Sequence, residues 1–272
     1  MSRMFLSGYG WIRILFVAVG FLLSALVTAQ QADPSDALDD AVRLAESAYS
    51  TGDYASAVQF FEEAVALAQS DRLYSVLPEL YYNLASAYFE ANDLGFALVN
   101  ALRAQHEMPR DAELARMLAL IRALRVDVMG DETALIDVAA AATRGVLGVE
   151  ELALITFVLW SAAFALLMFR LLRPDIFRRL ALIAAVIAVA AGVSVVLLFS
   201  RQYVDVYRPA AVVTAFTSQA RSGPGEVYIP LFTLYNAAEG RVLDEQAGYA
   251  RLLLPDGRQG WIPIEDLTLA GL

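Results

Sequence analysis

Residues 152–200 decide the architecture: LALITFVLWSAAFALLMF (152–169), RLLRPDIFRR (170–179) and LALIAAVIAVAAGVSVVLLFS (180–200). The outer segments are 18 and 21 residues long and carry no charge. About 20 apolar residues cross a hydrocarbon core of about 30 Å. Both segments are apolar all round, which a one-sided core helix is not. Between them stand four Arg against one Asp. A short basic loop stays on the cytoplasmic side of a membrane. The pair therefore reads as a transmembrane hairpin (150–200, loop 170–179), with the flanking regions 30–148 and 208–272 both outside.

The N-terminus agrees. Arg3 and Arg13 precede an uncharged run from Ile14 to Ala29 that ends Val27-Thr28-Ala29. This is the pattern of a secretory signal peptide (1–29) cleaved after Ala29. The alternative is a retained anchor, a third membrane helix. A signal peptide places residues 30–148 outside.

Composition narrows the chemistry. Of 272 residues 58% are hydrophobic, and the mean hydropathy is +0.53, against about 45–50% apolar in soluble domains. The net charge of −10 argues against a nucleic-acid partner. All 20 basic residues are Arg, Cys is absent, and His106 is the single histidine. Lysine and thiolate nucleophiles and Cys-held metals are thereby removed. His106 reads as a helix-end residue, where partial positive charge is favoured, ahead of a ligand or base. No catalytic residues, metal site or cofactor are expected, and the chain reads as a non-enzyme.

Residues 36–126 alternate helical stripes with brief breaks. One copy runs Ala45, Ala48, Tyr49, then Gly52-Asp53-Tyr54, then Ala57, Phe61, Ala64. A second runs Asn83-Leu84-Ala85, Tyr88, then Asn92-Asp93-Leu94, then Ala97, Ala101, Ala104, closed by Pro109. The turns lie 40 residues apart. Small residues let paired helices approach, aromatics fill the gap beside them, and Gly or Asn tolerates the turn. A further helix, Asp111–Val126, is expected to cap the array through Leu114, Leu118, Ile121 and Leu124.

This pattern resembles tetratricopeptide repeats, whose period is about 34 residues, with about six extra residues around Ser70–Leu77. Ala101 departs from the family, where a large aromatic is common, and should loosen the second helix pair. The resemblance implies a concave face carrying Asp39, Val42, Arg43, Glu46 and Tyr49 from one helix. Glu79, Tyr82, Asn83, Ser86 and Phe89 would come from the next. That face reads either as a groove for a partner peptide or helix, or as solvated polar residues with aromatics completing the core. Residues 30–148 hold 19 acids and 8 Arg, net −11, so a basic or neutral partner is favoured. Residues 30–130 form the array, and 131–149 read as a tether.

After Arg208-Pro209 the pattern becomes that of strands: Ala211-Val212-Val213, Val227-Tyr228-Ile229, Arg251–Leu254, the turn Asp256-Gly257, and Gly260-Trp261-Ile262. A small β barrel is expected over 208–272. Residues 210–269 resemble bacterial SH3 domains through Arg221-Ser222-Gly223-Pro224-Gly225, Phe232, Leu234, Val242-Leu243, Tyr249-Ala250-Arg251 and Asp256–Pro263. Departures fall at Tyr235-Asn236-Ala237, where a His-Glu-Gly turn is common, and at Tyr249, where Trp is usual. Tyr228, Tyr249 and Trp261 are candidates for a ligand surface, with barrel core as the alternative for Tyr249 and Trp261.

The order of modules resembles the BatE-type members of the Bat aerotolerance family, over almost the whole mature chain. That resemblance implies a multidomain protein of the cytoplasmic membrane: an all-α tetratricopeptide-like array, a transmembrane hairpin and an SH3-like barrel, both soluble parts extracytoplasmic. It implies a scaffold in envelope-complex assembly or stress tolerance. The implied partners are membrane proteins with von Willebrand factor A domains, encoded nearby with a MoxR-type ATPase. The competing expectation is a peptidoglycan-binding module with the repeats as spacer.

Overall fold

A computed structural model describes residues 34–127, 139, 143, 146–172 and 174–271. The signal segment 1–29, its cleavage point after Ala29 and most of the tether lie outside the described residues. Five helices come first: α1 (Pro34–Ser50), α2 (Tyr54–Ser70), α3 (Leu77–Glu90), α4 (Leu94–Glu107) and α5 (Ala112–Leu124). Each packs on its neighbour in the chain.

Three chain reversals share one device. Gly52, Arg72 and Asn92 stand at φ +81°, +59° and +61°. The residue after each donates its amide back into the preceding helix: Asp53 to Ala48, Leu73 to Ala68 and Asp93 to Tyr88, at 2.8–2.9 Å. These are left-handed helix stops. Asp53 and Asp93 then cap the following helices by accepting from the amides of Ser56 and Phe96. The longer connection, 71–76, includes a 3-10 turn at Tyr74–Val76, where the extra residues were expected.

Ala45, Ala57, Ala64, Ala85, Ala97, Ala101 and Ala104 are fully buried, with Phe61, Tyr81 and Leu84 filling between them. In α5, Leu114, Leu118 and Ile121 face inward as expected, but Leu124 does not and is 53% exposed. The helix ends there, and Arg125 turns extended (φ −65°, ψ 150°). The apolar stripe therefore stops one turn early.

Two long apolar helices follow, α6 (Val149–Leu172) and α7 (Pro174–Tyr207), packed side by side. Only 11% of the apolar window in each is buried, so neither helix is enclosed by the rest of the described residues. Phe157, Leu182 and Val189 are each more than 60% exposed. The expected ten-residue loop 170–179 is largely helical: α6 continues to Leu172 and α7 begins at Pro174. Proline is tolerated in a helix's first turn, which lets α7 begin there. With 34 residues, α7 is about 51 Å long and extends well past the apolar window.

The C-terminal part is a seven-stranded antiparallel sheet: β1 (Ala210–Val213), β2 (Thr217–Arg221), β3 (Pro230–Tyr235), β4 (Glu239–Gln246), β5 (Tyr249–Leu253), β6 (Gln259–Pro263) and β7 (Leu267–Leu269). The order is β3-β2-β6-β5-β4-β1-β7. Ala211, Val213, Ala220, Leu234, Val242, Leu252 and Ile262 form its core. Gly260 is required by packing, since a Cβ there would stand 2.7 Å from that of Ala220. Val227-Tyr228-Ile229 is not a strand. It lies in the turn before β3, with Val227 92% and Ile229 72% exposed. The Arg221 guanidinium gathers that turn by donating to the carbonyls of Glu226 and Tyr228 at 3.0 and 3.1 Å.

Candidate functional site

The residues expected on the concave face come from α1 and α3. Asp39, Arg43, Glu46 and Glu79 are exposed, while Val42, Tyr49, Tyr82, Asn83, Ser86 and Phe89 are half-buried. Val42, Tyr49, Tyr82 and Phe89 also rest on the helical core. Arg43 pairs with Asp40 at 2.7 Å. The Ser86 hydroxyl donates to the Tyr82 carbonyl of its own helix.

Electrostatics tie part of this face together. Burial raises the Tyr49 hydroxyl above its usual value, helped by Glu90 and then by Tyr54 and Tyr82. Burial likewise raises Tyr82, with Glu113 and Asp111 adding and Arg116 opposing. Tyr82 therefore feels the charge at the acidic start of α5. Tyr54 stands edge-on to Tyr49 at 5.4 Å.

On the sheet, burial alternates along β5 and β6. Ala250, Leu252, Gly260 and Ile262 face the core. Tyr249, Arg251, Trp261 and Pro263 share the opposite face, which settles Trp261 and Tyr249 as outward and half-buried instead of core. Trp261 is in register with Arg221 on β2 and Arg251 on β5. The Arg251 guanidinium lies 5.8 Å from the Trp261 ring centroid, a cation–π distance. Tyr228, 44% exposed, stands over Gly223, where a Cβ would meet its ring at 2.4 Å.

A third arrangement had no sequence expectation: the sheet docks on the helices. The Gly95 amide, in the first turn of α4, donates to Asn236 Oδ1 at 2.6 Å. Asn236 Nδ2 donates to the Thr214 carbonyl at 2.9 Å. Glu239 Oε1 and Oε2 each accept from Arg122 at 2.8 Å, and Arg125 donates to Oε1 at 2.6 Å. Burial alone would raise the Glu239 carboxyl, but Arg122 and Arg125 outweigh it and hold it below the usual glutamate value. Asp127 accepts from the Tyr235 amide at 2.8 Å, and Arg103 donates to the Leu269 carbonyl at 3.0 Å. Val212 and Ala237 of the sheet are members of the helical core.

Asn236 and Ala237 belong to the turn between β3 and β4, and Ala237 takes a φ of +67°. That turn makes the docking contact. A glycine in the first turn of a helix was the available sequence signal, since a Cβ on Gly95 would stand 2.7 Å from Asn236 Nδ2 and 2.9 Å from the Val213 oxygen.

Among the described residues, no group of three or more His, Asp or Glu side chains is placed to hold a metal ion. His106 lies in the last turn of α4, with Nε2 3.9 Å from Glu107. Comparison against family models finds none that matches, and searches of curated proteins and of solved structures likewise return no match.

Proposed function

We propose that the chain is a non-enzymatic, membrane-anchored scaffold of the BatE type. In this reading its tetratricopeptide-like array and SH3-like barrel lie outside the cytoplasmic membrane and serve envelope-complex assembly or stress tolerance. The observation that carries it is the pair Tyr49 and Tyr82, half-buried on the helical core and under the charge of Glu90 and of Glu113 and Asp111 respectively, on a helical unit braced by the sheet. Half-buried aromatics supply contact area at low entropy cost, and the carboxylates select a basic segment. Membrane proteins with von Willebrand factor A domains are the partners this resemblance favours. The test is a pull-down from membranes with Glu90→Arg/Glu113→Arg, both at exposed positions. Loss of a partner that the unaltered chain retains supports the reading. Equal recovery by both chains overturns it.

The outward Trp261 between Arg221 and Arg251 favours a second reading, in which the sheet holds the protein on peptidoglycan. An aromatic ring flanked by guanidiniums suits a sugar face with an attached acidic peptide. Sedimentation of the full chain with purified sacculi, beside Trp261→Ala, separates the two. Co-sedimentation lost in the variant favours wall binding, and none in either chain excludes it.

A further inference from the structure

The uncharged window of α7 ends at Ser200, yet the helix runs on to Tyr207. A helix that leaves an apolar layer for water turns polar on its open side. This extension does not. Arg201 is 2% exposed and Val204 is fully buried, so one face packs on the rest of the chain. Arg201 also donates to the Leu147 carbonyl at 2.5 Å, which ties that face to the start of α6. At 3.6 residues per turn, Phe199, Tyr203, Val206 and Tyr207 share the opposite face. Phe199, Val206 and Tyr207 are each more than 60% exposed, and Tyr203 is half-buried.

The three rings form one ladder at four-residue spacing. The Tyr203 ring centroid lies 6.1 Å from that of Phe199 and 5.1 Å from that of Tyr207. The ladder is graded: phenylalanine stands inside the uncharged window and tyrosines stand beyond it. Depth agrees with the grading. At about 1.5 Å per residue, Tyr203 lies about 4.5 Å past Ser200 and Tyr207 about 10 Å past it. The polar headgroups add about 5–8 Å to each side of a hydrocarbon core. Tyr203 thus falls within that layer and Tyr207 at its outer edge. A side chain with an apolar body and a polar tip is the kind that gathers at this level.

We infer that Phe199, Tyr203 and Tyr207 seat in the lipid headgroup layer on the sheet's side of the membrane, so that α7 binds lipid with one face and the protein with the other. This rests on the membrane-anchored part of the proposed reading and makes no use of the α1–α3 face. The test is depth-resolved fluorescence quenching of the full chain in phosphatidylcholine vesicles. The lipid carries a nitroxide at its headgroup, near the glycerol end of an acyl chain, or near the chain's terminal methyl. Tyr203→Trp is read in a background of Trp11→Phe, Trp160→Phe and Trp261→Phe. Val189→Trp in the same background, from the middle of the uncharged window and 66% exposed, is the depth reference. We expect the two shallow labels to quench Tyr203→Trp at least twofold more than the deep one, and Val189→Trp to show the reverse order. Should Val189→Trp be quenched while Tyr203→Trp is reached by no lipid label, water, a second copy or another protein covers the ladder. The inference then falls and the anchor stands. Strongest quenching of Tyr203→Trp by the deep label also overturns it. Quenching of neither residue overturns the inference and the anchor together. Should the tryptophan-free background not fold, the unaltered chain decides, in vesicles of a phospholipid with a photoreactive diazirine on its headgroup. Adducts at Tyr203 and Tyr207 should exceed those at Tyr74, 64% exposed between α2 and α3, at least threefold, and equal yields refute the inference.

Discussion

Gly95 and Asn236, 141 residues apart, share a hydrogen bond of 2.6 Å that caps a helix in one part of the chain with a side chain from another. Asp93 accepts from the Phe96 amide at the start of α4, and Asn236 from the Gly95 amide just before it. Donors at a helix N-terminus have no partner within the helix, so the sheet completes a helix it does not belong to.

Two opposing effects meet at Gly95→Ala. Alanine is the better helix former by about 1 kcal/mol. Against that, the added Cβ overlaps Asn236 Nδ2, Val213 O and Thr214 Cα, a steric cost of about 1–3 kcal/mol. We expect net destabilisation in thermal unfolding of the full chain. Asn236→Ala should also destabilise, by about 1–2 kcal/mol. The double variant should lose less than the sum, because each change removes the same contact.

Glu239 carries a pH signature. Its folded value lies below its unfolded one, about 4.3. Its contribution is therefore complete above that pH and is lost as pH falls through the folded value. Glu239→Gln leaves Arg122 and Arg125 without their shared carboxylate and should cost about 2 kcal/mol at neutral pH. The gap between the two chains should close on acidification below about pH 4.3. A gap that stays constant with pH would remove Glu239 as the titrating group.

Arg72 offers a gain. It holds a left-handed φ of +59° at a helix stop, which costs a residue with a Cβ about 1 kcal/mol. Arg72→Gly should raise the unfolding midpoint, as glycine takes this conformation without that cost. The change lies on an exposed turn and should leave partner recovery unaltered.

Much of this architecture is legible in the chain because its signals are local. Gly52 and Asn92 mark turns by residue type, and an uncharged run of about 20 residues needs no context to be read. Arg72 makes the same turn with no such mark, so the third reversal is legible only from its spacing. Val227-Tyr228-Ile229 has strand composition, yet Arg221 ties the carbonyls of Glu226 and Tyr228 into a turn. The docking of sheet on helices is illegible for another reason. Gly95, Arg122 and Arg125 face partners more than 110 residues away, and periodicity describes one element at a time. On the candidate face, the sequence supplies residue types and helical spacing. What it does not supply is that Tyr49 feels Glu90 while Tyr82 feels Glu113 and Asp111.

The docked interface joins a region before the two apolar helices to one after them, so both must lie on the same side of any membrane those helices span. The chain has no Cys, which makes single introduced thiols clean reporters. Ser47→Cys on α1 and Gln219→Cys on β2 are exposed positions, and Arg178→Cys lies between the apolar windows. A membrane-impermeant maleimide added to intact spheroplasts should label the first two and reach the third only after lysis. Labelling of Ser47→Cys and Gln219→Cys from opposite sides of the membrane would contradict the docked, two-span arrangement outright.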